Sequence, residues 1–392
     1  MSDTNRAKSP EKKREINLEL LRILAMLMVI SLHYLGKGKT LSMGILYVLP
    51  SNANFANEVL AWTLEAASYA AVNLYIMISG YFLVNATARA EKLFKIFVQV
   101  LFYSIGIYLI FLVSGNVPAE YADGYHKSIY LLPVSSHHYW FASIYLLFYT
   151  LAPFLALGLR KMTQKQMLGL CIILLLITSR TFKYILPNMA MIEKDGYSIL
   201  WMVVLFVVAA YIRRFVPVNP KKRFLYLGIY FLSVLATVGG SFAVSYVVRT
   251  TGHLKDYPEY LYGYNSPTII IAAISLFLFF RTIKIKEGFF GKIILFFAPL
   301  TFGVYLLHEH FLLRDFWTKF WKVDVYYQKP YFILHYIGVV LAVFLIGAAV
   351  EWIRKTIFEL IFKIKPFQMF FGLLGKADVI FPEKDKDFKG AE

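Results

Sequence analysis

Cysteine is nearly missing from this sequence: Cys171 is the only one in 392 residues. A single thiol excludes an intramolecular disulfide framework, and no spacing of cysteine or histidine matches a zinc site. Cys171 lies in an apolar run and reads as a small buried hydrophobe. Charge is scarce too. Only 17% of residues are Asp, Glu, Lys or Arg, against about a quarter in soluble domains. Acidic residues are the minority, 24 against 41 Lys and Arg, which leaves a net charge of +17. That charge would suit a nucleic-acid partner only if it were gathered on one domain. Here it is divided among many short stretches, so no nucleic-acid role is read.

What is present is apolar: 59% of residues are hydrophobic and 18% aromatic. They fall in runs of roughly 18–27 residues, the length that spans a hydrocarbon core of about 30 Å at 1.5 Å per residue. The runs are apolar on all sides, which excludes the amphipathic helices of a soluble core. The fold class expected is all-α, a polytopic transmembrane bundle of about ten helices. The predicted spans are 16–35, 58–84, 93–114, 138–157, 166–178, 198–212, 224–248, 267–280, 291–313 and 332–353. The first is too long for a signal-peptide core and has no small-residue cleavage site, so it is expected to stay as a helix. Ser266-Pro267 starts the eighth, and Pro153 and Gly239-Gly240 are expected to kink the fourth and seventh.

Basic residues test this topology. With the N-terminus and its Arg6, Lys8, Lys12, Lys13 and Arg14 in the cytoplasm, alternate loops carry Arg89/Lys92/Lys95, Arg160/Lys161/Lys165, Arg213/Arg214/Lys221 and Arg281/Lys284/Lys286. About 28 basic residues then lie on that side and about 12 on the other, the bias of the positive-inside rule. Both termini are therefore expected in the cytoplasm. Three parts follow: a basic segment at 1–15, a transmembrane domain at 16–358, and a tail at 359–392. In the tail, Phe367, Met369, Phe370 and Phe371 beside Lys363 and Lys365 suit an interfacial segment; a simple frayed end is the alternative. No internal repeat is detected.

Ionisable groups inside a membrane helix need a reason to be there. The first span has three: Glu19, Arg22 and His33. Eleven residues separate Arg22 from His33, so at 100° per residue they share one face, roughly 16 Å apart along the axis. Glu19 is within pairing reach of Arg22 on that face. On spacing alone, interfacial snorkelling explains them as well as a functional site does.

The stretch Glu19-Leu-Leu-Arg22 … His33 resembles the first helix of the membrane-bound acyltransferase 3 family, whose members O-acylate glycans. Ser79-Gly80-Tyr81, His138-Tyr-Trp140-Phe141 and Phe302-Gly303-Val-Tyr305-Leu-Leu-His308 are similar to later family segments, in order and on the expected helices. The likeness runs over about 16–353. The sequence departs from the family at Glu19, where Asp is frequent, and at Tyr145, where many members have a carboxylate. No appended hydrolase-like domain is read.

The resemblance implies transfer of an acyl group, by expectation acetyl, from cytoplasmic acyl-CoA to a hydroxyl of a cell-surface or lipid-linked glycan, as in polysaccharide O-acetylation. Acyl-CoA is then a co-substrate; no bound cofactor and no metal are expected. The location implied is the plasma membrane of a bacterium. His33 is the only histidine before residue 126 and suits the proton-accepting role. Arg22 and Glu19 complete the catalytic set. Arg89, Lys92, Lys95, Ser79 and Tyr81 are donor-binding candidates, although the three cations also fit a plain positive-inside signal. His308, Trp140 and Glu65 are acceptor-site candidates, with Glu65 suggested as the carboxylate that orients His33.

Other features read more plainly. His308 and His310, two apart on a helix, point about 200° from each other and cannot share a metal ion. Glu309 and His310 are taken as rim residues, as are His137 and His138. Tyr257, Tyr260, Tyr262 and Tyr264 suit an aromatic belt or stacking on sugar rings. Asn85-Ala-Thr87 falls on the cytoplasmic side, where the sequon means nothing. The competing function is a transporter or flippase of a lipid-linked glycan or small acid, which would need a polar path and two access states.

Overall fold

The computed structural model describes residues 14–41, 44–136, 138–180, 194–255 and 257–383. Arg6, Lys8, Lys12, Lys13, His137 and the charged stretch after residue 383 lie outside the described residues. Among the described residues every regular element is helical. In chain order they are α1 (Ile16–Leu32), α2 (Phe55–Ser68), α3 (Ala70–Leu83), α4 (Ala90–Val113), α5 (Gly124–Leu131), α6 (Trp140–Lys161), α7 (Gln164–Thr178) and α8 (Ile199–Phe215). Then follow α9 (Arg223–Thr251), α10 (Pro267–Arg281), α11 (Phe289–Phe297), α12 (Thr301–Glu309), α13 (Phe311–Phe320), α14 (Val323–Tyr326), α15 (Phe332–Ile361) and α16 (Lys365–Ala377).

Seven described stretches are long and apolar enough to cross a membrane: Ile16–Lys37, Phe55–Leu83, Ala90–Val113, Trp140–Lys161, Pro220–Thr251, Phe289–His308 and Phe332–Ile361. The chain is a multi-pass membrane protein. Three of the ten expected spans are shorter. α7 and α10 have 15 residues each and α8 has 17. At 1.5 Å per residue, 15 residues reach about 22 Å, short of a hydrocarbon core of about 30 Å. α2 and α3 form one span that is irregular at Tyr69, while α6 runs unbroken through Pro153 and α9 through Gly239-Gly240.

The expected helix at 291–313 is not one helix. Pro299 has no backbone N–H to donate, and a tight turn at Ala298–Leu300 separates α11 from α12. α12 ends at Glu309. His310 is extended (φ −56°, ψ 127°), and its ring Nδ1 accepts the Leu312 N–H at 3.3 Å as α13 begins. Apolar residues continue across the break, so periodicity could not reveal it.

α1 is central, packed against α2, α3, α10, α11, α12 and α15. Ala25, Ala70 and Ala71 are fully buried, and such small side chains let membrane helices approach closely. Gly80 serves α3 in the same way: a Cβ there would lie 3.0 Å from the Phe206 ring and 3.2 Å from Ala209 on α8. α4, α9 and α15 are peripheral and expose Ile110, Phe231, Leu235, Leu341 and Ile346, as lipid-facing helices do.

Candidate active site

α1 carries its polar stripe as the sequence predicts. Glu19 is 7% exposed and stands between two guanidinium groups. Arg14 Nε donates to Glu19 Oε1 at 2.9 Å, and Arg22 Nη1 to Oε2 at 2.9 Å. Each oxygen is matched, so the carboxylate is tolerated among buried neighbours. At the far end α1 widens into a π turn over His33–Lys37, where the Gly38 N–H donates to the His33 carbonyl at 3.1 Å. Such single wide turns shift the face on which a side chain emerges and recur at functional sites.

Arg22 and His33 open into neighbouring cavities. The Arg22 cavity, about 220 Å³, is also lined by Ser79, Lys92, Gln99, Tyr145 and Thr301. Ser79 and Tyr145 place their hydroxyl oxygens 3.3 Å apart on its wall. The His33 cavity, about 40 Å³, is mostly apolar, with Met26, Val29, Val72, Trp140 and Tyr264 around the imidazole. Tyr75, Phe141 and Phe302 line both cavities. One layer of aromatic side chains therefore divides a cationic compartment from the imidazole.

The remaining sequence candidates separate. Trp140 is at the His33 cavity, 4.6 Å from the Tyr197 ring and 6.1 Å from the Tyr264 ring, centroid to centroid. Asn73 on α3 holds that wall: its amide donates to the Tyr264 carbonyl at 2.8 Å and its oxygen accepts from the Trp201 indole at 2.9 Å. Tyr262 is buried, donating to the Trp62 carbonyl at 3.0 Å. Of the donor-binding set, Ser79 and Lys92 line the Arg22 cavity. Lys95 pairs with Glu91 and covers the Phe362 and Phe371 rings. Arg89 precedes α4, outside the cavity wall. Tyr81 is buried beneath the Arg213 and Arg281 guanidinium groups, at 4.4 and 5.2 Å from its ring centre.

His33 has neighbours that the sequence did not suggest. Glu309 is 6% exposed, a buried residue and not a rim one. Its Oε2 lies 3.2 Å from His33 Nδ1, although the two do not line up as a hydrogen bond. Arg314, on α13, donates to the other oxygen at 3.2 Å. The carboxylate within reach of His33 is therefore Glu309 and not Glu65, which is buried in α2 with one oxygen unpartnered among the described residues. The His308 ring centre is 5.0 Å from that of His33. His308 Nδ1 donates to the Val304 carbonyl at 2.6 Å, which leaves Nε2 as a bare acceptor. His138 and His310 are buried too, 4.7 Å apart between ring centres, beside Tyr130.

This constellation can do two things chemically. Its cationic compartment can hold a phosphate-bearing or thioester-bearing chain, since guanidinium and ammonium groups suit such oxygens. Its imidazole, in a small and mostly apolar cavity, can take a proton. A family model described as an acyltransferase domain matches residues 15–352. No curated protein and no solved structure matches the chain.

Proposed function

We propose, from the premise that the chain belongs to the acyltransferase 3 family, that it transfers a short acyl group from cytoplasmic acyl-CoA to a glycan hydroxyl on the opposite side of the membrane. The observation that carries this reading is the pair of adjoining cavities, with Arg22 and Lys92 in one, His33 in the other, and Tyr75, Phe141 and Phe302 common to both. Arg22 and Lys92 grip the polar part of the donor arm. The arm passes the aromatic layer and brings its thioester to His33. An acceptor hydroxyl gives its proton to the His33 imidazole as its oxygen bonds to the acyl carbon. The carbon–sulfur bond then breaks, and the proton passes to the leaving thiolate. Threading in this way needs no covalent acyl-enzyme.

The size of the His33 cavity favours acetyl. At about 40 Å³ the cavity is small, which suits a short acyl chain over a long one. Both termini in the cytoplasm, supported by the distribution of basic residues, and a bacterial plasma membrane, suggested by the family resemblance alone, complete the reading.

The test supplies purified protein in vesicles with labelled acetyl-CoA and a glycan extract. Label should move to the glycan, and His33→Ala should abolish transfer without loss of membrane insertion. Trapping an acyl-enzyme without acceptor would overturn threading. Movement of an unmodified glycan lipid by the His33→Ala protein would overturn acyl transfer in favour of a flippase.

A further inference from the structure

Glu309 is not required by the acyl-transfer reading, but a role for it rests on that reading. It ends α12 where the chain breaks at His310, and the break lets α13 bring Arg314 back toward it. One carboxylate oxygen accepts from Arg314 at 3.2 Å. The other faces His33 Nδ1 at 3.2 Å and has no hydrogen-bond partner among the described residues. A buried carboxylate without a partner is costly, and Arg314 supplies the compensating charge. Arg314 is itself mostly buried and lies 5.0 Å from the Phe311 ring centre. His308 is not a competing donor to this oxygen, because its ring hydrogen is committed to the Val304 carbonyl. His33 Nδ1, at 3.2 Å, is the group placed to donate to Glu309 Oε2.

We propose that Glu309, anchored by Arg314, is a positioning residue that holds His33 with its hydrogen on Nδ1. Nε2 then carries the lone pair that takes the hydroxyl proton. When that proton moves from the acceptor oxygen to Nε2, the ring becomes an imidazolium flanked by the Glu309 carboxylate. When Nε2 returns the proton to the thiolate sulfur, the neutral ring and its Nδ1 hydrogen are restored. The same logic, a carboxylate fixing the tautomer of a catalytic imidazole, operates in hydrolytic triads.

Two measurements test this. In the intact protein with ¹⁵N-histidine, His33 assigned by its loss in His33→Gln should show the Nδ1–H tautomer, and in Glu309→Gln the Nε2–H tautomer, because the amide oxygen kept by Arg314 turns the amide N–H toward Nδ1. Kinetically, Glu309→Gln keeps the side-chain volume and an oxygen for Arg314. Its kcat should fall about a hundredfold or more with KM for acetyl-CoA within roughly twofold, and Glu309→Asp should recover part of the loss. An Nε2–H tautomer in the unmodified protein, or an unchanged kcat in a folded Glu309→Gln protein, would overturn the proposal. The spectrum of the unmodified protein needs neither activity nor a folded variant. An Nδ1–H tautomer in a protein that transfers no acyl group supports the positioning of His33 and overturns the acyl-transfer reading alone.

Discussion

Tyr103 on α4 donates its phenol hydrogen to Glu351 on α15 across 2.8 Å. The same carboxylate accepts two N–H groups from Arg354, at 2.8 and 2.7 Å, and the Gln99 amide at 3.1 Å. Gln99 lines the Arg22 cavity, so this buried network joins two outer helices to its wall. Gly303 on α12 faces Glu351 so closely that a Cβ would collide with the carboxylate.

Removing that carboxylate should unfold the bundle before it affects chemistry. Glu351→Leu leaves the Arg354 guanidinium buried without its partner, a loss on the order of 3–5 kcal/mol. Glu351→Gln should cost less, because an oxygen still accepts. Gly303→Ala should cost roughly 1–3 kcal/mol by overpacking. Thermal unfolding of the detergent-solubilised proteins ranks the three.

Arg22→Met should raise the KM for acetyl-CoA about tenfold or more while kcat changes little, as expected for a residue that binds the donor equally before and during transfer. Glu19→Gln should have a smaller effect, since both guanidinium groups remain and an oxygen still accepts. Initial rates with labelled donor measure both.

Lys92 and Lys95 are one turn apart on the same helix, yet their variants should differ. Lys92→Ala removes a cation from the cavity wall and should raise donor KM several-fold. Lys95→Ala should leave KM unchanged, because that ammonium is already engaged by Glu91 and two phenyl rings. Equal effects from the two substitutions would remove the donor from this cavity.

Acyl length should be set by the wall around His33. Met26→Ala enlarges the cavity next to the imidazole. Each methylene in an apolar pocket is worth about 1–3 kcal/mol of discrimination, so the butyryl-to-acetyl ratio of kcat/KM should rise at least about tenfold. Competition between the two donors, read by mass spectrometry of the product, gives the ratio directly.

How much of this was visible in the sequence depends on the range of the interaction. The α1 stripe was legible because a helix fixes the angle between residues 22 and 33 whatever surrounds it. Gly80 was noticed within a motif, but its reason, the close approach of Phe206 on α8, belongs to packing. The break at His310 was invisible, since Phe311, Leu312 and Leu313 continue the apolar pattern as a single helix would. With that break missed, Glu309 read as rim and Arg314 drew no attention.

Hydropathy and helical period are properties of consecutive residues. Together they determined that the chain is helical and crosses a membrane several times, and that Glu19, Arg22 and His33 share a face. Which carboxylate stands beside His33, and which lysine reaches the Arg22 cavity, was decided only when the helices packed. Those contacts join segments from opposite ends of the chain through side-chain shape and charge pairing. Residue type and spacing alone pointed to Glu65 as the partner of His33 and to Glu309 as a rim residue, and only the tertiary structure brings Glu309 within 3.2 Å of His33.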